Sequence, residues 1–158
     1  MLRAQLSKQL QVGTERAVAA RMQGMVVFSV AGRRLAATTD DIGGVIPWPG
    51  ATRVPSDTPF VTSLVRQGKS CLPVFDLAEK FNCTIRENDP LCLIVKHADG
   101  LIAICIDPQV PSLHMVARSA VHYLAGSDPD IGGTCIAGDE EFPIINLRTL
   151  GISSIRTR

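Results

Sequence analysis

Gly68-Lys69-Ser70 has the ending of a phosphate-binding loop, whose full form GxxxxGK[S/T] opens a helix that aims backbone amides at phosphate. Position 63 is Ser63 rather than glycine, and the residues that follow, Cys71 to Phe75, form a β-type run containing Pro73. The helix is excluded, and nucleotide binding of this kind loses its support. Asp130-Ile131-Gly132-Gly133-Thr134 is a glycine-rich bend that reads better as the start of a strand than as a phosphate cradle. His97, His114 and His122 have no metal-ligand spacing with one another or with a cysteine. His97 is expected in a turn, and His114 and His122 on solvated faces. The five cysteines, Cys71, Cys83, Cys92, Cys105 and Cys135, are odd in number and form no CxxC pair. Cys71, Cys92, Cys105 and Cys135 sit among apolar residues and are expected as small buried hydrophobes. General acid/base work needs carboxyls in a partly dry pocket. Asp40-Asp41, Asp99, Asp128-Pro129-Asp130 and Asp139-Glu140-Glu141 fall in turns, expected to be wet, and Asp76 reads as a helix cap. There is no GxSxG elbow. The residues point to no enzyme, no metal and no cofactor.

The chain has 158 residues with 46% hydrophobic and 20% charged residues, and Lys+Arg 16 against Asp+Glu 15 gives a net charge of +1. A disordered chain or a strongly cationic nucleic-acid binder is therefore disfavoured. Mass scaling has the folded chain burying about 69% of its unfolded surface, enough for a real core. Aromatic residues at 4% leave little for base stacking. The longest apolar runs, Leu91 to Val95 and Leu101 to Ile106, are far shorter than the roughly 20 residues of a membrane span. Arg3, Lys8, Glu15, Arg16 and Arg21 interrupt the first 24 residues, which therefore lack a secretory signal, and the expected location is the cytoplasm.

Short apolar runs separated by turn residues dominate from Met25 onward, which is the pattern of strands. Expected strands are Met25 to Val30, Leu35 to Thr38, Ile42 to Ile46, Val61 to Val65 and Ser70 to Phe75, then a short helix from Asp76 to Phe81. The second half continues with Leu91 to Lys96, Leu101 to Ile106, Leu113 to Arg118, Thr134 to Ala137 and Phe142 to Ile145, and a last short helix starts at Asn146. Pro47-Trp48-Pro49-Gly50 stops the third strand. Leu2, Leu6, Leu10, Val18 and Met22 have helical spacing broken by Gly13, so residues 1–24 read as an extension, either a marginal amphipathic helix or a disordered tail. Residues 25–151 form the domain and 152–158 a tail.

The two halves are alike. Gly68 to Leu77 and Gly138 to Leu147 both read Gly, three residues, a bulky apolar residue, Pro, two apolar residues, Asx and Leu. Glycine serves the tight turn, proline tolerates an exposed strand start, and Asx caps the following helix. The hairpin Met25 to Ala37 recurs as Leu91 to Ala103. This period of roughly 70 residues is too long for a solenoid and indicates an all-β fold of two small five-stranded barrel subdomains with short helices.

The ordered series resembles the CheW-like coupling domains of bacterial chemotaxis. The residues that carry the likeness are Val26 to Val30, Asp41-Ile42-Gly43-Gly44-Val45-Ile46 with Pro47, and Phe60 to Leu77 with Leu72-Pro73-Val74-Phe75-Asp76-Leu77, followed by Gly100 to Asp107 and Gly138 to Leu147. The resemblance implies two intertwined barrels, no catalysis, and an adaptor that links the cytoplasmic tip of a chemoreceptor to the regulatory domain of a histidine kinase. It implies partner-binding residues at the strand ends of the first barrel: Val45, Ile46, Val61, Arg66, Gly68 and Lys69. Core packing is the competing explanation for Val45, Ile46 and Val61. Gly68-Lys69 stands where the family has Arg-Gly, and Gly44 where it often has Glu, so the coupling surface departs from the usual one. A CheW-like module with a different partner is the alternative, and a small-molecule or nucleotide-binding barrel a more remote one. No nucleic acid and no membrane insertion are expected.

Overall fold

The computed structural model describes residues 21–124, 126 and 128–152. The expected helical spacing over Leu2, Leu6, Leu10 and Val18, and the tail beyond Ile152, lie outside the described residues. Met22 belongs to a strand, not to a helix, because its backbone pairs with Ala117.

Among the described residues, twelve strands make two sheets. They are β1 (Met22–Val30), β2 (Arg33–Thr38), β3 (Ile42–Pro47), β4 (Thr52–Arg53), β5 (Val61–Gln67), β6 (Ser70–Phe75), β7 (Leu91–His97), β8 (Gly100–Ile106), β9 (Ser112–Ala117), β10 (Val121–Tyr123), β11 (Ile131–Ala137) and β12 (Glu140–Ile145). The helix α1 (Leu77–Lys80) follows β6, and a 3-10 turn over Leu147–Thr149 follows β12. Sheet 1 has the order β10-β11-β12-β2-β1-β9, and sheet 2 the order β3-β7-β8-β6-β5-β4. Each sheet thus has five principal strands, as expected, plus a sixth of two or three residues, β4 or β10. Sheet 2 is continuous in sequence, from Ile42 to Ile106, whereas sheet 1 is built from the two flanking stretches.

The sequence repeat and the sheets do not share boundaries. Strands β1 to β6 correspond in order to β7 to β12, yet the hairpin of each half lies in the sheet formed mainly by the other half. Corresponding hydrogen bonds confirm the equivalence. Asp76 N–H donates to Phe60 O at 2.7 Å and Asn146 N–H to Asp130 O at 2.8 Å; likewise Val54 N–H to Thr62 O and Leu124 N–H to Gly132 O. Each sheet also contains one parallel bridge at the matching place, Val74↔Ala103 and Ile144↔Ala36.

The interleaving explains the unbroken apolar runs. Met25 and Val27 face the interior of sheet 1 with Val116, Cys135, Phe142 and Ile144. Phe28 and Val30 face the other way, into the layer between the sheets, where Leu93, Val95, Ile104 and Ile106 of the equivalent hairpin meet them. Cys92, Ile94 and Ala103 fill the interior of sheet 2 with Val65, Leu72 and Val74. A strand buried on both faces shows no alternation of polar and apolar residues.

Pro73 and Pro143 are the fourth residues of their strands rather than residues of an exposed start. Both hairpins close on two-residue turns, with Gln67↔Ser70 and Ala137↔Glu140 as the innermost pairs. Hydrogen-bonded and non-hydrogen-bonded pairs alternate from there, so Leu64↔Pro73 and Thr134↔Pro143 both fall on non-hydrogen-bonded positions. The missing N–H therefore removes no bond from either hairpin ladder.

Candidate partner-binding surface

The turn between β5 and β6 joins Arg66, Gly68 and Lys69. Gly68 has φ +58°, a conformation that glycine adopts without steric cost. Lys69 is exposed beside it, and Arg66, at the end of β5, stands across from Cys71 on the outer face. Neither cation has an ion-pair partner among the described residues, so both are presented to solvent. Gly68-Lys69-Ser70 lies in a hairpin, without the helix that a phosphate loop requires. Cys71 is exposed, against expectation, because it alternates with the inward-facing Leu72.

Val45 lies on β3, an edge strand on the opposite side of sheet 2, paired with Leu93 and 38% exposed. A bulge between Ile42 and Gly44 turns this edge. Gly44 there has φ +154°, a conformation L residues rarely adopt, so a glutamate in its place would be strained. Ile46, next along the strand, turns inward and packs with Trp48 against the interior of sheet 2. Val61 packs against the layer between the sheets. The six residues therefore divide: Arg66, Lys69 and Val45 are available to a partner, Gly68 shapes the turn, and packing accounts for Ile46 and Val61.

Sheet 1 carries a counterpart that the sequence reading did not single out. Leu113 pairs with Val26 on the edge strand β9, as Val45 pairs with Leu93 on β3. Leu113 is 66% exposed and Met115, two residues on, 60%. Their spacing of two was visible in the sequence, but the exposure depends on β9 being an edge.

Several polar residues expected on wet surfaces are buried ties. Asp130 is 2% exposed and its carboxylate accepts from Gly151 N–H at 3.1 Å and from Lys80 Nζ at 2.9 Å. Asp128 takes a second Lys80 contact at 3.2 Å. Burial alone would push the Lys80 ammonium pKa down; the hydrogen bond and charge of Asp130, then those of Asp128, overcome it and hold the pKa above its ordinary value. Asp107, also missed, accepts from the N–H groups of Ala31 and Gly32 at 2.9 Å each and from Ser29 Oγ at 2.7 Å, and so fastens the first hairpin turn to the end of β8. His97 is the last residue of β7, and its side chain is buried. Its Nδ1 accepts from Asp99 N–H, which leaves the proton on Nε2 to donate to Leu150 O at 2.9 Å. Asp76 caps α1 as expected, accepting from Glu79 N–H at 3.0 Å. Asn146 makes no such bond, and its side chain packs beside Gly132 instead.

The family model described as "CheW-like domain" matches residues 24–152. Among solved structures, the scaffolding protein TtCheW from Thermoanaerobacter tengcongensis superposes with a TM-score of 0.70 at 20% identity, over 81% of this chain and 86% of that one. A search among curated proteins returns no match.

Proposed function

This chain belongs to the CheW-like domain family, and on that premise we propose that it is a non-catalytic, cytoplasmic adaptor coupling chemoreceptor tips to the regulatory domain of a histidine kinase in a chemotaxis-type pathway, flagellar or pilus. The observation that carries this reading is the family match across both sheets. Partner contact is assigned to the Arg66–Lys69 turn and to the Val45 edge. Long cations on a tight turn stabilise a monomer by at most a few tenths of a kcal/mol, so reversing their charge separates a partner contact from a folding role. The double variant Arg66→Glu with Lys69→Glu should melt at the parent temperature. Its Kd for the co-encoded kinase domain or receptor fragment, measured by calorimetry, should rise at least tenfold, about 1.4 kcal/mol. Unchanged affinity in the folded variant would remove this turn from the interface and direct attention to sheet 1 around Gly138 to Phe142.

One pair of departures favours a second reading, a CheW-like module that serves a different partner. Lysine cannot reproduce the planar, multidentate donor that arginine offers, and Gly44 removes a carboxylate from the β3 edge. Failure of the parent protein to bind either co-encoded partner would support this reading over the first.

A further inference from the structure

We propose that Cys92 and Cys105 form a redox-active dithiol, which a peroxide oxidises to a cross-strand disulfide inside sheet 2. The two residues are direct partners in the β7–β8 ladder. That hairpin closes at His97↔Gly100, and counting alternate pairs inward makes Cys92↔Cys105 a non-hydrogen-bonded pair. Cα atoms in such pairs are about 4.5 Å apart, inside the range of roughly 4.4–6.8 Å found across disulfides. Cross-strand partners project from the same face of the sheet, so the two sulfurs share one side. Cys92 is fully buried there among Val65, Leu72, Val74, Ile94 and Ala103. Cys105 lines a cavity of about 460 Å³ with Trp48, Ser63, Val74, Asp76 and Cys83. Peroxide is little larger than water, and the cavity brings it to Cys105 but not to Cys92.

The chemistry closes in two steps. Cys105 thiolate attacks one peroxide oxygen; the S–O bond forms as the O–O bond breaks, hydroxide leaves and takes up the thiol proton as water, and Cys105 becomes a sulfenic acid. The Cys92 sulfur then attacks Cys105, the S–S bond forms as the S–O bond breaks, and the Cys92 proton leaves with the oxygen as a second water. Two thiols are oxidised by one peroxide. Burial, then the neighbouring Cys92, Asp76 and Asp107, push the Cys105 thiol pKa to about 12, and burial pushes Cys92 to about 11. Both thiols are thereby largely protonated and react slowly at neutral pH.

The intact protein, treated with hydrogen peroxide, blocked with N-ethylmaleimide and digested with trypsin without reduction, tests the proposal. Cleavage at Arg86, Lys96 and Arg118 separates Cys92, in 87–96, from Cys105, in 97–118. The expected product is these two peptides joined and lighter by two hydrogens than their sum, dissociating on reduction. It should form equally in the variant Cys83→Ser, and its rate should rise about tenfold per pH unit between roughly pH 7 and 9. Cys105 joined to the Cys83 peptide instead, sulfinic acid without a cross-link, or both thiols intact at a dose that oxidises the exposed Cys71 would each overturn it; a pH-independent rate would overturn Cys105 as the attacking sulfur.

Discussion

Among the described residues Asp107 accepts three hydrogen bonds, more than any other carboxylate, and nothing in its immediate sequence announces it. Its oxygens satisfy two backbone N–H groups of a tight turn and one hydroxyl, all contributed by a hairpin more than 70 residues away. Asp107→Ala should remove the acceptor from three donors in a half-buried place, at a cost of about 1–3 kcal/mol, while Asp107→Asn should lose less because its amide oxygen still accepts. Urea denaturation of the two variants beside the parent measures both. Gly133 is a comparable single-residue constraint: a Cβ there would run into the carbonyl oxygen of His122. Site residues were legible where the signal is local. A glycine turn flanked by cations can be read from Arg66 to Lys69, whereas the burial of Asp130 or the exposure of Leu113 depends on what the rest of the chain brings alongside.

The helix α1 has only four residues and relies on its ends. Asp76 caps its start, and Lys80 at its finish reaches from sheet 2 to Asp128 and Asp130, at the threshold of β11 in sheet 1. Lys80→Met should cost about 3 kcal/mol, because it leaves the Asp130 carboxylate buried without its cation. The folded pKa of Lys80 is raised, so this stabilisation is fully present below the unfolded value near 10.5 and is lost as pH climbs through the folded value. The difference in melting temperature between parent and Lys80→Met should therefore be constant from neutral pH to about pH 10 and shrink above it. The first strand bears on truncation experiments in a similar way. Removing residues 1–23 would cut the Met22↔Ala117 and Gln23↔Val116 pairs, so a harmless truncation has to stop before Arg21, whose carbonyl accepts from Arg118 N–H.

At the scale of the whole molecule, the β class, the principal strands and the internal repeat were all readable, because hairpins are local and glycine, proline and apolar runs mark them. The short strands β4 and β10 were not: Thr52-Arg53 is exposed on both residues and carries no apolar pattern. Nor was the assignment of each hairpin to the opposite sheet, since pairing between β2 and β12, or between β6 and β8, rests on one parallel bridge apiece and leaves no trace in either sequence segment.

That crossed arrangement has the form of a domain-swapped homodimer whose two subunits have been fused into one chain after duplication, each keeping its hairpin in the other's sheet. A single half should then be unable to complete a sheet from its own strands alone yet be able to do so with a twin. Residues 83–158, expressed alone, are expected to be unfolded when dilute and to assemble into a β-rich dimer as concentration rises. Light scattering coupled to size exclusion, with circular dichroism on the same fractions, would detect this; a folded monomer of the fragment would show that one half closes on itself and that the swap is not built into the repeat.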